Sequence, residues 1–268
     1  MVGRSTLVLA LVAVSVIPPA AARVDTSAFP DPVANPFEAR IGSMYQYGAN
    51  KLRLDIGGSL DLTESEGPWP EGRLSFGVDF MTWTRLRSET NFKFPVETID
   101  YWFGANAKLR IGPGPWQARL RIAHISSHMV DGLADASGTI SPEPFVYSRE
   151  FAELLIGVES GVVRPYAGIT AVWASQPDAP DPFIPQAGID LHVPVGDSWE
   201  LRGGYDLRLS GIDGQLSAGN AAQLGMMLKN ENGTGFLISL YGYAGRSMHG
   251  MFYREYDGYG ALGFQFRW

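Results

Sequence analysis

The stretch WELRGGYDLRL, Trp199 to Leu209, decides how the chain folds. Trp199, Leu201, Gly203, Tyr205, Leu207 and Leu209 alternate with Glu200, Arg202, Gly204, Asp206 and Arg208. Extended backbone turns successive side chains to opposite faces, so this strand has one apolar face and one of charges and glycine. Two architectures accept that pattern: a soluble sandwich with the apolar face inside, and a membrane barrel with the apolar face outside. The polar face favours the barrel, because it interleaves acids with bases as an internal network requires.

The pattern recurs along the chain. Leu74, Phe76, Val78 and Phe80 alternate with Ser75, Gly77 and Asp79, and Tyr101, Phe103, Ala105, Ala107 and Leu109 alternate with Trp102, Gly104, Asn106 and Lys108. About twelve such segments follow one another: 37–47, 50–60, 72–83, 99–111, 115–126, 145–158, 163–173, 184–193, 198–209, 218–229, 235–246 and 257–268. Short turns alternate with longer loops, as they do when one end of a barrel faces the periplasm and the other the exterior. The segment Thr63 to Glu71 is too long for the periplasmic turn its position demands. The expected fold is an all-β, antiparallel transmembrane barrel of the outer-membrane type, with about 12 strands. The sandwich is the competing architecture.

Composition narrows the function. There are no cysteines, which excludes disulfides and thiolate metal sites. The net charge of −7 argues against nucleic acid as a partner. Arg4, the apolar run Leu7 to Ile17 and Ala20-Ala21-Ala22 read as a signal peptide over residues 1–22. A proline-spaced lead-in, 23–36, precedes a single barrel domain, 37–268. The final Leu262, Phe264, Phe266 and Trp268 resemble the terminal strand of bacterial outer-membrane proteins, whose last aromatic residue is read by the barrel-insertion machinery.

One segment breaks the rule that the outward face is apolar. In RLRIAHISSHMVDG, 119–132, the lipid-side register of Leu120 and Ile122 continues into His124 and Ser126, while Arg119 and Arg121 point inward. The returning strand, VYSREFAELLIGV, puts Ser148 and Glu150 in the same register as Ala152, Leu154 and Ile156. Ionisable groups facing lipid are costly unless paired, which makes them functional candidates. A serine, a histidine and an acid together permit nucleophilic acyl transfer. Ser126 is the candidate nucleophile, His124 the base, and Glu150 the orienting group with Ser148 as alternative. Backbone amides of Ser127 or His128, where the strand gives way to loop, are candidate oxyanion donors.

The HISSH of 124–128 and the YSRE of 147–150 resemble an uncharacterised family of predicted bacterial outer-membrane proteins with the pattern His-x-Ser-Ser-His-x-x-Asp-Glu and a later Tyr-Ser-Arg-Glu. Asp131 fits that pattern and Gly132 departs from it. More distantly, His124-x-Ser126 with a polar residue on the next strand is similar to outer-membrane phospholipase A and lipid A 3-O-deacylase. That resemblance implies a lipid hydrolase in the bacterial outer membrane, with phospholipid or lipid A as substrate and partner, and it implies calcium, for which Asp131 and Asp135, with Glu143 of the same outer loop, are candidate ligands. A homodimer is a candidate assembly. The alternative function is a barrel without chemistry, a narrow channel or a surface protein. His249, with Arg254, Glu255 and Asp257, is expected in a hydrated outer loop.

Overall fold

The structure is a computed structural model, which describes residues 27–49, 51–135, 137–178, 180–230 and 233–267. The expected signal peptide and the terminal Trp268 lie outside the described residues. Twelve strands run in chain order: β1 (Ile41–Tyr47), β2 (Lys51–Glu66), β3 (Arg73–Arg87), β4 (Val96–Arg110), β5 (Trp116–Met129), β6 (Tyr147–Val158), β7 (Val163–Gln176), β8 (Phe183–Val195), β9 (Trp199–Ile212), β10 (Gln215–Lys229), β11 (Gly235–Arg246) and β12 (Tyr256–Arg267). Each pairs antiparallel with its neighbours in sequence, and β1 pairs with β12 to close the barrel. Closure leaves no unpaired edge, the condition for strands to cross hydrocarbon.

The faces divide as the alternation predicts. Arg53, Asp79, Arg119, Arg121, Glu153, Asp190 and Asp206 are buried inside, while Ile56, Phe80, Phe103, Ile122, Ile156, Leu240 and Leu262 are exposed on the outer wall. A sandwich would bury that second set, so the soluble alternative is excluded. An apolar exterior on a closed antiparallel barrel suits a bilayer, and barrels with these proportions belong to the bacterial outer membrane. Strands extend beyond several expected ends. β2 runs on to Glu66, so the over-long turn at Thr63 to Glu71 shrinks to residues 67–72. The loop expected from residue 127 starts only after Met129.

Two features close the lumen. The lead-in enters the barrel: Phe29, Val33, Asn35 and Glu38 are fully or almost fully buried, and β1 begins at Ile41 rather than at 37. Two of its acids meet arginines that the wall turns inward. Arg119 pairs with Glu38 at 2.6 Å, Asp31 at 2.9 Å and Glu153 at 3.0 Å, while Arg121 pairs with Glu38 at 2.7 Å and Asp79 at 3.0 Å. Buried charges persist only when so matched, and removing one partner leaves an uncompensated ion. At the outer end, the loop 247–255 folds into the mouth. Asp100 accepts hydrogen bonds from His249 Nδ1 at 2.7 Å and from the Gly250 amide at 2.8 Å, and Ser127 Oγ accepts from the Met251 amide at 3.1 Å. His249 is therefore buried, contrary to the expectation of a hydrated loop; the carboxylate that replaces its water is contributed by a strand 149 residues away.

Candidate functional site on the outer wall

Cross-strand register builds the site. β5 and β6 pair His124 with Glu150 and Ser126 with Ser148, so the four side chains form a compact polar square on the outward face near the outer end of the wall. His124 Nδ1 lies 2.5 Å from Glu150 Oε1, with both side chains only partly exposed. A carboxylate can only accept, so Nδ1 carries a proton in this contact and Nε2 is the ring nitrogen turned away from Glu150. The imidazole is also held from behind. On β4, Phe103 lies opposite His124 and stacks on its ring, with centroids 4.8 Å apart and an interplanar angle of 28°. Tyr101, opposite Ser126, meets the exposed His128 edge-on at 5.7 Å.

The fourth strand contributes a bulge. The β6–β7 register shifts between Glu150 and Phe151, whose partners are Ala174 and Val172, so Trp173 has no partner and stands exposed beside the acid. Bulges of this kind redirect side chains and are over-represented next to active sites. Neither Phe103 nor Trp173 is marked by the local sequence; only the pairing of β4 with β5 and of β6 with β7 brings them to the square.

Among the described residues, the His124–Glu150 bond is made and no hydrogen bond joins Ser126 to His124. The two share a face two residues apart on one strand, a spacing of about 7 Å along the backbone. Ser148 sits opposite Ser126 without a bond to it. The amides of Ser127 and His128 belong to β5 rather than to a loop, so the oxyanion donors expected there are ladder amides.

Asp131 and Asp135 lie in the outer loop 130–146. Asp131 opens a 3₁₀ turn, Asp131–Leu133. Gly132 packs so close to the backbone of Val96 that a Cβ would fall 2.2 Å from its carbonyl oxygen, which accounts for the absence of a larger residue there. Asp135 Oδ1 accepts hydrogen bonds from Ser137 Oγ at 2.6 Å, Ser137 N at 2.8 Å and Thr139 N at 3.0 Å, and the Ser137 hydroxyl first among them holds its carboxyl below the usual range. Among the described residues no three His, Cys, Asp or Glu side chains converge as metal ligands. Calcium takes six to eight oxygens, and these two aspartates do not supply such a shell.

Solved structures similar to this chain include two bacterial proteins. The in-vitro folded OmpT, an outer membrane protein of Vibrio cholerae, is 9% identical, with 85% of this chain and 95% of that one covered and a TM-score of 0.38. The translocator domain of the autotransporter NalP from Neisseria meningitidis is 12% identical, with 88% and 91% covered and a TM-score of 0.33. No curated protein sequence matches. A family model does match over residues 94–268, from β4 to the last strand and so across the whole polar square: the chain belongs to the family described as Protein of unknown function (DUF1207).

Proposed function

We propose that the outward square is the active site of a serine hydrolase that cleaves acyl esters of outer-leaflet lipids, phospholipid or lipid A. The observation that carries this reading is the 2.5 Å contact between His124 Nδ1 and Glu150 Oε1, because it fixes the tautomer a general base needs. Ser126 Oγ would attack the ester carbonyl and pass its proton to His124 Nε2. Collapse of the tetrahedral intermediate would return that proton to the leaving alcohol, and water would then release the acyl group by the same route. Glu150 acts as a positioning residue through the imidazole, and Phe103 limits the tilt of the ring. An acyl chain needs no extraction from the bilayer to reach a site on the lipid-facing wall.

The competing reading as a narrow channel has the occupied lumen against it, since residues 27–40 and their ion pairs stand in the path. The test is fatty-acid release from phospholipid and from lipid A in mixed micelles, with calcium and with chelator. Wild-type protein should release fatty acid, and Ser126→Ala should lose about a thousandfold or more of that rate. Full release by Ser126→Ala, or none by the wild type in either medium, would remove the assignment.

A further inference from the structure

The same two motifs have a second, inward half that the ester chemistry leaves unused. Ile125, Tyr147 and Arg149 alternate with the outward residues and line a cavity of about 100 Å³ beneath the outer mouth of the barrel. Phe37 of the lead-in lies at its base, and Met248 and Tyr253 of the inward-folded loop lie at its roof. Phe151, Val172 and Ile184 add apolar wall.

The polar groups on this cavity are unbalanced. Five buried polar atoms that can donate have no hydrogen-bond partner among the described residues: Trp102 Nε1, Thr170 Oγ1, Arg149 Nε, Arg208 Nε and Arg246 Nε. Trp102 is 1% exposed and Thr170 4%. The Arg149 guanidinium lies over the Tyr147 ring at 5.1 Å, and no carboxylate among the described residues forms an ion pair with it. Arg208 reaches Glu153 with Nη2 at 2.8 Å, but its Nε stands 3.8 Å from Asp206 Oδ1, beyond hydrogen-bond reach. Among the described residues the one carboxylate on the cavity wall is that of Asp206, whose Oδ2 accepts from Tyr166 and Gln186, both at 2.6 Å. Arginines without a carboxylate of their own thus gather on one inward surface of a chain whose net charge is −7. Buried donors normally find partners, so these unpartnered ones point to an acceptor that comes from outside the chain.

We propose that this cavity binds a small organic anion, a carboxylate carried on a single ring or short chain. The carboxylate meets Arg149, Arg208, Thr170 and Trp102, and the apolar body packs against Phe151, Val172 and Ile184. The volume sets the size: it exceeds by severalfold the roughly 10–15 Å³ that one water requires, and is of the order that accepts a benzene ring. The site is separate from the ester chemistry outside the wall and stands or falls independently of it.

Benzoate is the probe, with benzyl alcohol as its neutral counterpart, in calorimetric titrations of the full-length protein in a non-ionic detergent. The expected result is saturable benzoate binding, at least about tenfold weaker binding of benzyl alcohol, and at least about tenfold weaker benzoate binding by Arg149→Gln. Ala221→Phe keeps every charge but fills the cavity, and it too should lose benzoate. Absence of saturable benzoate binding, equal binding of the two probes, or binding unchanged in both variants would overturn the proposal.

Discussion

The outward and inward halves of the HISSH and YSRE motifs differ by one residue of register and by almost everything else. Outward, His124, Ser126, Ser148 and Glu150 stand where the neighbouring wall is apolar, and the one strong contact among them joins a base to an acid. Inward, Ile125, Ser127, Tyr147 and Arg149 build cavity wall and anchor the loop that closes the mouth. A two-residue period lets one short sequence serve both sides of a wall a single strand thick. The adjacent serines therefore differ in setting: Ser126 faces outward, whereas Ser127 is buried with its hydroxyl accepting the Met251 amide.

That contrast can be broken most sharply at the serine pair. Ser126→Ala should lower ester hydrolysis by about a thousandfold and leave the unfolding midpoint unchanged, whereas Ser127→Ala should leave most of the hydrolysis and weaken the loop contact. Next in size is the lumen. Glu38→Ala strips Arg119 and Arg121 of the shared acid that lies nearest to both and should destabilise the barrel by about 3–5 kcal/mol, measured by denaturant unfolding in detergent. Glu150→Gln should reduce kcat by roughly 10- to 100-fold with little change in KM, with partial rescue by Glu150→Asp, since a residue that only orients the base leaves lipid binding intact. Gly250→Ala should unseat the closing loop, because a Cβ there would lie 2.3 Å from the Tyr147 ring; faster proteolysis within 247–255 without loss of hydrolysis is the expected outcome. The smallest effect belongs to Phe103→Leu, which removes a ring stack of about 1 kcal/mol and should cost less than tenfold in rate.

The sequence makes side-chain direction legible and partnership much less so. Alternation in WELRGGYDLRL and its repeats is a local property, so the strand count and the assignment of Arg119 and Arg121 to the lumen follow directly from it. The match of His124 to Glu150 is also reachable, since both fall in the apolar register of strands joined by one loop. Phe103 and Trp173 are hidden because they depend on pairing across β4 and β7, and a bulge leaves no mark in the residues themselves. His249 is hidden for another reason: its partner Asp100 lies 149 residues earlier, and nothing near either position announces the contact. The lead-in carried a readable signal in its apolar Phe29 and Val33 beside the acids Asp31 and Glu38, suited to a lumen rich in arginine. Its prolines suggest a linker more strongly.

The outward assignment is tested most directly by covalent capture of the nucleophile. Protein in detergent is treated with a fluorophosphonate, digested, and the modified residue located by peptide mass. A single adduct on Ser126, absent from His124→Ala, is the predicted result; no adduct, or one on Ser127 or Ser148 instead, would contradict it.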